Sequence, residues 1–264
     1  MTDPDGLLDE REARARRILR DLGGVLIALS GGVDSSVLAA LAAQELGDRA
    51  VAATAVSEVY PRREIEAAKD LARRLGLRHL LVNLDHLADV PGFADNPPDR
   101  CYRCKKVVFG RLREIALREG LVMVHGEQVD DLADDRPGRK AAQELGVRAP
   151  LAEAGLTKQQ VRALAARLDL PVAQAPSMAC LATRFPTGTR LTTEDLARAE
   201  AAEQVLSRLG LSNYRARCHG DLVRLQVPPG EIARLVQDDV RAFLIEQLRG
   251  LGFRYLTVDL EGYP

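Results

Sequence analysis

The stretch Ser30-Gly31-Gly32-Val33-Asp34-Ser35-Ser36 joins an apolar run, residues 24–29, to a helical pattern over residues 36–46. A buried strand is therefore expected to run through a glycine turn into a helix. The two glycines can expose backbone N–H groups that a Cβ would cover, and the first N–H groups of the helix face the same point. The three serines add hydroxyl donors for phosphate oxygens, and Asp34 can hold a metal or a pyrophosphate-linked group. Seven consecutive residues in this context favour an anion site over an ordinary serine-capped turn.

The composition is that of an ordinary globular protein. The chain has 264 residues, enough for one large or two modest domains, and 46% of them are hydrophobic. Its formal net charge of −1 gives no bulk attraction to nucleic acid. The first five residues lack the pattern of a signal peptide, and no apolar stretch approaches the length of a membrane span. We therefore expect a cytoplasmic protein.

Short apolar runs alternate with helical patterns through the first 125 residues. This alternation predicts an α/β fold, with a parallel sheet covered by helices on both faces. Such sheets bind ligands at the carboxyl ends of their strands, where residues 30–36 lie. Ser57 and Glu127 follow two further strands and should lie along the same edge, and residues 127–139 should form a charged loop. The predicted strands are 25–29, 50–56, 79–84 and 121–125, and the predicted helices are 7–22, 36–46, 62–75 and 102–119.

The pattern changes near residue 170. Before it, Thr157 begins a helix with Gln160 three residues later, the pairing of a capping box. After it, residues 171–190 form a long loop rich in Pro, Gly, Ser and Thr, and an αββαβ order follows. We therefore expect one domain over residues 1–170 and a small α+β domain over 171–264. The elements predicted in the second domain are a helix over 192–209, strands over 214–219 and 222–227, helical residues 231–249 and a strand over 253–258.

The chain has four cysteines, at positions 101, 104, 180 and 218. In a reducing compartment such cysteines are more often metal ligands or reactive thiols than disulfide partners. Cys101 and Cys104 form a Cys-x-x-Cys where a proline-rich loop enters a helix, whose dipole favours thiolates. From this spacing alone, a redox dithiol, half of a zinc site and part of an iron–sulfur site all remain open. Cys180 is a third thiol, with polar neighbours in the long loop, whereas Cys218 is expected to be structural.

The heptapeptide resembles the pyrophosphatase loop, or PP-loop, of the ATP-pyrophosphatase superfamily. Members of that superfamily cleave ATP between the α and β phosphates and usually form an adenylylated carboxylate, carbonyl or amide. A nitrogen or sulfur nucleophile then attacks this intermediate. The Walker string Gly-x-x-x-x-Gly-Lys-Ser/Thr does not occur in the chain. The resemblance therefore implies adenylyl transfer on the PP-loop ATP-pyrophosphatase fold, a parallel α/β sheet with a smaller C-terminal domain.

Two further segments resemble the LarE family of sulfur transferases. They are Pro176-Ser177-Met178-Ala179-Cys180-Leu181-Ala182-Thr183-Arg184-Phe185-Pro186-Thr187-Gly188 and Arg215-Ala216-Arg217-Cys218-His219-Gly220-Asp221. Together with residues 30–36, they extend the resemblance over nearly the whole chain. That family adenylylates a carboxylate of pyridinium-3,5-biscarboxylic acid mononucleotide with ATP, and a sulfur nucleophile then displaces AMP to leave a thiocarboxylate. The resemblance thus implies a role in the biosynthesis of the nickel-pincer nucleotide, the cofactor of lactate racemase.

The resemblance also implies roles for the cysteines. Some members of the family give up the sulfur of their own cysteine and are left with dehydroalanine. Others hold a [4Fe-4S] cluster on three cysteines, and the open iron of the cluster is thought to deliver a sulfide. Because Cys101, Cys104 and Cys180 are all present, the chain resembles the cluster type. Cys180 is then the expected sulfur-bearing catalytic residue.

ATP and Mg²⁺ are the other expected cofactors. Asp34 and Arg184 are expected to act in adenylylation, with Arg184 on an ATP phosphate or on the adenylate. Glu127 and Asp131 are expected near Mg²⁺ or the ribose, and a solvated turn is an equal alternative for them. The residues expected to bind the nucleotide are Ser30, Gly31, Gly32, Asp34, Ser35, Ser36, Ser57, Glu127, Asp131 and Arg184.

A second basic site is expected in the C-terminal domain. Arg215 and Arg217 alternate on a predicted strand, so both should face the same side. Two guanidinium groups on one face suit a phosphate monoester such as that of the substrate nucleotide, and a solvated strand face is the ordinary alternative. Glu203 is expected to line the same pocket.

Two other functions remain open. A tRNA-thiolating enzyme of the same superfamily can also use three cluster-binding cysteines, but it should show a basic surface or an RNA-binding appendage. A non-catalytic nucleotide-binding protein would have no need of Cys101, Cys104 and Cys180 together. The expected partners are a small-molecule nucleotide, other proteins of the nickel-pincer pathway and further copies of this chain, with no membrane and no nucleic acid.

Overall fold

A computed structural model describes residues 4–133, 137–175, 179–211 and 213–263. The described chain divides into two compact units. The N-terminal unit contains residues 4–91 and 99–175, and the C-terminal unit contains residues 92–98 and 179–263. Within these residues, no helix combines the length and the apolar character needed to span a membrane. Residues 176–178, the start of one quoted family segment, lie outside the described part.

The N-terminal unit is built on a parallel four-stranded sheet with strand order β3-β2-β1-β4. The predicted parallel sheet is therefore confirmed. The change of direction in the strand order falls between β1 and β4, which is where open α/β sheets bind ligands. The elements are α1 (Pro4–Leu22), β1 (Val25–Ala28), α2 (Val33–Leu46), β2 (Ala50–Val56), α3 (Arg62–Arg74), β3 (Arg78–Asn83), α4 (His86–Asp89), α5 (Arg100–Arg118), β4 (Val122–His125), α6 (Asp130–Ala133), α7 (Pro137–Glu144), α8 (Pro150–Glu153) and α9 (Lys158–Arg167).

The central strand β1 is apolar because both of its faces are covered. Val25 and Ile27 pack into a core that includes buried residues of α1, α2, α3 and α9. Leu26 points to the other side, into a core formed with Val108 and Phe109 of α5 and Met123 of β4. The predicted coverage of the sheet by helices on both faces is confirmed.

Two boundaries in the N-terminal unit differ from the sequence-based expectation. Helix α2 begins at Val33, three residues earlier than predicted, so the end of the PP-loop forms the first helical turn. The loop expected over residues 127–139 contains helix α6 and the start of α7. Helix α7 forms there because Ala141 and Ala142 bury its apolar side, which the charged composition of the preceding residues had obscured.

The C-terminal unit is a small α+β unit with the expected αββαβ order. Its sheet has the order β5-β6-β7, in which β5 pairs antiparallel with β6 and β6 pairs parallel with β7. The elements are α10 (Thr193–Arg208), β5 (Arg215–His219), β6 (Leu222–Gln226), α11 (Ile232–Leu235), α12 (Asp238–Gly250) and β7 (Tyr255–Val258).

The division between the units differs in detail from the boundary expected at residue 170. Residues 171–175 stay with the N-terminal unit, because the Arg162 guanidinium donates to the carbonyl oxygens of Ala173 at 2.8 Å and Ala175 at 3.1 Å. Residues 92–98 belong to the C-terminal unit. There the buried Asn96 donates its amide N–H to the carbonyl oxygen of Pro186 at 2.9 Å.

The buried His125 makes the stability of the N-terminal unit sensitive to pH. Desolvation, aided by the positive charge of Lys105, lowers the pKa of His125 to about 3 from 6.5. Protonation therefore favours the unfolded chain, so the stabilisation is complete above pH 6.5 and is lost as the pH falls toward 3. We expect this residue to lower the free energy of unfolding by up to about 1.4 kcal/mol for each pH unit below 6.5.

Urea denaturation at pH 7 and pH 5 measures this effect. The His125→Gln variant should lose less stability between the two pH values than the wild type, whereas a variant of the exposed His219, His219→Gln, should match the wild type. An equal loss in the His125→Gln variant and the wild type would contradict the prediction.

Candidate functional site

The PP-loop joins β1 to α2 with a backbone that only glycine allows. Gly31 has φ +81°, and a Cβ at this residue would lie 2.8 Å from the carbonyl oxygen of Glu64. Gly32 is the N-cap of α2 and carries no capping side chain. The first N–H groups of a 14-residue helix therefore point out of the loop without a side-chain acceptor from the N-cap position. This arrangement favours an anion at the start of α2.

The serines of the loop form hydrogen bonds with one another and with the loop backbone. The Ser35 hydroxyl donates to the carbonyl oxygen of Gly32 at 3.1 Å and accepts the N–H of Ser30 at 3.2 Å. The Ser36 hydroxyl donates to the same carbonyl at 2.8 Å, and the Ser36 side chain is fully buried. The Ser30 hydroxyl is more exposed and lies 3.1 Å from the Ser35 oxygen. Ser36 therefore shapes the loop from within, whereas Ser30 lies on its open side.

Asp34 pairs with a residue far away in the sequence. The Lys158 ammonium donates to Asp34 Oδ2 at 2.6 Å, and both side chains are partly exposed. Asp34 Oδ1 is buried and has no hydrogen-bond partner in the described part of the chain. Lys158 is the first residue of α9, whose N-cap Thr157 forms the predicted capping box with Gln160. The first turns of α2 and α9 thus meet through an ion pair at the PP-loop.

The acidic loop after β4 reaches the same place. A Cβ on Gly126 would lie 2.5 Å from the backbone nitrogen of Ser35, so β4 can pass the PP-loop only with glycine at this position. The Asp130 carboxylate accepts the backbone N–H of Lys158 at 2.5 Å. Asp131 accepts instead from the backbone N–H of Gln128, at 3.4 Å.

The two remaining residues expected along this edge lie at strand ends. Ser57 directly follows β2, and its hydroxyl accepts from the backbone N–H of Val59 at 3.3 Å. The Glu127 carboxylate is mostly buried and lies 4.0 Å from the Arg139 guanidinium. The PP-loop, Ser57 and Glu127 therefore follow the carboxyl ends of β1, β2 and β4, whereas Asp131 lies in α6 and Arg184 belongs to the C-terminal unit.

Cys101 and Cys104 occupy the first turns of α5. Cys101 is exposed, and Cys104 is half-buried with its sulfur 3.2 Å from His86 Nε2 and 3.6 Å from the Tyr60 hydroxyl. Burial lowers the pKa of His86, which favours the neutral imidazole. Among residues 4–133, 137–175, 179–211 and 213–263, no three His, Cys, Asp or Glu side chains form a group able to hold a metal ion.

In the C-terminal unit, Cys180 is half-buried and begins a turn that Arg184 closes. Arg184 was expected to hold a phosphate, but its side chain is fully excluded from solvent and pairs with Glu203 at 2.8 Å. In the structure its guanidinium donates to the carboxylate of Glu203 and to main-chain carbonyl oxygens. Glu203, expected to line a substrate pocket, is also buried.

Arg215 and Arg217 both lie on β5, as predicted, but they differ in exposure. Arg215 is buried, stacks over the Tyr263 ring at 4.6 Å and donates to its neighbouring carbonyl at 2.7 Å. Arg217 is partly exposed and donates to the carbonyl oxygen of Thr183 at 2.6 Å. Burial lowers the pKa of both guanidinium groups, and the positive charge of Arg184 adds to the effect. Cys218 is fully buried, and desolvation raises the pKa of its thiol to about 12.

Comparison with known proteins identifies the family. The Asparagine synthase family model matches residues 11–103, which contain the PP-loop. A pyridinium-3,5-bisthiocarboxylic acid mononucleotide synthase of Lactiplantibacillus plantarum is 38% identical over 97% of this chain and 92% of its own length. This chain belongs to the family of that synthase. The LarE resemblance predicted from the sequence is therefore confirmed.

Two other relatives match this chain over different lengths. An uncharacterized protein of Synechocystis sp. is 40% identical over 97% of this chain and 96% of its own length. A tRNA-specific 2-thiouridylase, MnmA, of Azorhizobium caulinodans is 33% identical, but the match covers 58% of this chain and 48% of that protein. The matches to the synthase and to the Synechocystis protein are thus near full-length, whereas the match to the thiouridylase is partial.

The sequence analysis missed Lys158 and Gly126. The only local signal at Lys158 was the helix start at Thr157, and nothing there points to Asp34, which lies 124 residues earlier. Gly126 directly follows β4, where glycine is common in turns, and its sequence context does not reveal the contact with the backbone of Ser35.

The close approach at Gly126 predicts that a single methyl group damages the PP-loop. In the Gly126→Ala variant, the Cβ must displace the backbone of Ser35 and Asp34, because both lie within 3 Å of its position. We expect ATP binding, measured by isothermal titration calorimetry, to weaken by at least about tenfold, as a shift of this size in a preorganised site implies.

The matched control is Gly110→Ala in α5, where an added Cβ meets nothing within 4 Å. This variant should bind ATP like the wild type and should be slightly more stable, since alanine favours a helix over glycine by roughly 1 kcal/mol. Wild-type ATP affinity in Gly126→Ala would show that the contact does not shape the nucleotide site.

Proposed function

We propose that this protein is an ATP-dependent sulfur transferase that forms AMP and pyrophosphate. Its proposed substrate is pyridinium-3,5-biscarboxylic acid mononucleotide, in which it replaces a carboxylate oxygen by sulfur during biosynthesis of the nickel-pincer nucleotide. The name of the Lactiplantibacillus relative describes a bisthiocarboxylic acid product, which supports this reaction class. The observation that carries the proposal is the PP-loop, held by hydrogen bonds between its own residues, with the Asp34–Lys158 ion pair beside it.

The first chemical step activates the carboxylate. A substrate carboxylate oxygen attacks the α-phosphorus of ATP, pyrophosphate leaves, and the oxygen becomes part of a good leaving group, AMP. In this proposal the N–H groups at the start of α2 and the Ser30 hydroxyl bind the departing phosphates, which the uncapped start of α2 supports. Lys158 supplies a positive charge beside them, because its pair with Asp34 is partly exposed and can exchange for a phosphate.

Asp34 has the chemistry that a Mg²⁺ ion requires. Its Oδ1 atom is buried and accepts no hydrogen bond from the described residues, and hard cations prefer carboxylate oxygens. We propose that Asp34 holds Mg²⁺ together with ATP phosphate oxygens, and that Glu127 and Asp131 orient its water ligands or the ribose. The bound ion would neutralise charge on the phosphates.

The second step replaces AMP by sulfur. A sulfur nucleophile adds to the activated carbonyl carbon, the carbon–oxygen bond to AMP breaks, and a thiocarboxyl group remains. Cys180 is the proposed sulfur-bearing residue. If its own thiolate attacks, a thioester forms, and loss of the Cα proton with cleavage of the Cβ–S bond then leaves dehydroalanine and releases the thiocarboxylate.

We propose that three thiols of this chain hold the [4Fe-4S] cluster that the family resemblance implies. Cys101 and Cys104 lie three residues apart on one helix, so the N-terminal unit offers two thiols on adjacent turns. Cys180 would be the third ligand. When bound, such a cluster would supply an iron site able to carry sulfide. A cytoplasmic location, a homo-oligomer and partners from the nickel-pincer pathway stay predictions from the sequence.

The proposed function has two half-reactions, AMP release and thiocarboxylate formation, and variants that lose them separately test it. Cys180→Ser should retain ATP- and substrate-dependent AMP release but form no thiocarboxylate, because activation does not use the thiol. Asp34→Asn should lose both, with AMP release reduced by at least about a hundredfold, the scale of removing one preorganised group that stabilises charge in a transition state. AMP release is followed by liquid chromatography, and the thiocarboxylate product by mass spectrometry.

The matched control is Cys218→Ala, which removes a buried thiol that no step uses. It should keep both half-reactions. Full thiocarboxylate formation by Cys180→Ser would refute the role of Cys180, and normal AMP release by Asp34→Asn would refute the role of the PP-loop.

Anaerobic reconstitution with iron and sulfide tests the cluster. We expect the wild type and Cys218→Ala to develop the optical and EPR signals of a [4Fe-4S] cluster, and Cys101→Ser to lose them. If the wild type binds no cluster, the sulfur must come from Cys180 itself. Mass spectrometry after one turnover should then find dehydroalanine at position 180.

A further inference from the structure

The buried Arg184–Glu203 pair lies directly beneath the backbone of Cys180. The Arg184 side chain is completely buried and Glu203 is nearly so. The guanidinium makes two parallel hydrogen bonds to the carboxylate, from Nε to Oε1 at 2.8 Å and from Nη2 to Oε2 at 3.0 Å. Its third nitrogen, Nη1, donates to the carbonyl oxygens of Ala179 at 2.7 Å and Cys180 at 3.2 Å. One arginine therefore connects a fixed carboxylate to the peptide groups that precede and follow the Cα atom of Cys180.

We propose that Arg184 and Glu203 form a brace that positions Cys180 for sulfur transfer, and that Arg184 does not bind ATP. The inference rests on the proposed function only in taking Cys180 as the sulfur-bearing residue. Both residues are positioning residues, because neither needs to touch the substrate. The brace is defined by Arg184, Glu203 and the turn of residues 179–184, all within the C-terminal unit.

The brace is anchored at its far end. Glu203 belongs to the 16-residue helix α10, and its Oε1 atom also accepts the backbone N–H of Ala216 in β5 at 3.3 Å. The carboxylate is thus fixed by a helix and by a strand. A bidentate pair to such an anchor holds the guanidinium plane in one orientation.

The turn that contains Cys180 has little regular secondary structure of its own. Cys180 precedes a single turn of 3₁₀ helix, Leu181–Arg184, which is too short to be stable alone. Side chains from outside the turn also bond to its main chain, among them Asn96, which donates to the carbonyl oxygen of Ala182 at 3.5 Å. The Thr183 hydroxyl donates to the carbonyl oxygen of Cys180 at 2.8 Å, and Arg217 donates to that of Thr183 at 2.6 Å. Side-chain donors, more than helical structure, therefore hold the Cys180 main chain in place.

Only arginine can fill this position. The site presents a carboxylate with two oxygens on one side and two carbonyl oxygens on the other, and the planar guanidinium has donors along both edges. A lysine ammonium at the same place is a single point and cannot meet both sets at once. The fully buried charge also excludes an exchange of partners with a phosphate, in contrast to the partly exposed pair of Lys158 with Asp34.

Three variants separate positioning from simple stability. Arg184→Met removes the guanidinium from the buried carboxylate of Glu203, so it can destabilise the unit without any effect on the position of Cys180. The double variant Arg184→Met/Glu203→Gln removes both charges, and the new amide can still accept the N–H of Ala216, so thermal stability should return toward the wild type. Thr183→Val keeps the Arg184–Glu203 pair and its charges but removes the hydroxyl that donates to the carbonyl oxygen of Cys180 and accepts from Arg184 Nη1. The matched control is Arg208→Met, on the exposed side of α10.

The first readout is the reactivity of the thiol in the apo protein. The rate of Cys180 alkylation by iodoacetamide at fixed pH is followed by peptide mass spectrometry, with Cys101 in the same sample as internal reference. We expect alkylation of Cys180 to become several-fold faster in the double variant and moderately faster in Thr183→Val, because a loosened turn exposes the half-buried thiol. Arg208→Met should match the wild type.

The second readout is the split between the half-reactions. In the double variant, we expect AMP release within about twofold of the wild type and thiocarboxylate formation reduced by about ten- to a hundredfold, the cost of a misplaced reacting group. Arg184→Lys should also show reduced thiocarboxylate formation.

Wild-type thiocarboxylate formation in the double variant, or an unchanged rate of Cys180 alkylation there, would overturn the brace. Loss of AMP release with an unchanged alkylation rate would show that Arg184 acts in nucleotide binding instead. If the wild type forms no thiocarboxylate, the proposed function fails, and the alkylation rates still decide whether the brace positions Cys180.

Discussion

The close contact between the PP-loop and its neighbours is the constraint on which the N-terminal unit depends. Helix α2 must begin at the carboxyl end of β1 with its first turn open, yet that turn lies against α3 and against the chain leaving β4. Glycine at 31 and 126 makes both contacts possible, since a Cβ at either position would collide with main-chain atoms. In the sheet, β1 lies between β2 and β4, so the segments that follow these two strands lie on either side of the loop.

The same constraint explains what could be predicted from the sequence. The seven-residue loop, the apolar runs of the strands and the capping box at Thr157 are local signals, and each element that they predicted occurs in the structure. The exact start of α2 was displaced by three residues, because an N-cap glycine leaves no side-chain signal. The sheet between these elements follows from general rules on parallel strands rather than from any single residue.

Long-range partners could not be predicted in the same way. The link from Lys158 to Asp34 joins two helix starts that are far apart in sequence, and neither residue type is unusual for its position. Arg184 is a second example. It was expected on an ATP phosphate or on the adenylate, and nothing local in the sequence indicated that it is buried and paired with Glu203 of α10. Charge at a position is readable from the sequence, whereas burial depends on which opposite charge the fold brings to it.

The two ion pairs show how one kind of interaction serves two ends. The Asp34–Lys158 pair is partly exposed, so water and counterions compete for it and its net contribution to stability is small. A weak pair of this kind can open when a phosphate arrives, and both partners then become available to a ligand. The Arg184–Glu203 pair is buried, so separating the charges is costly and the geometry persists whether or not a ligand is bound. Solvent exposure, more than residue type, therefore decides which of the two pairs can take part in binding and which can hold a reactive residue in place.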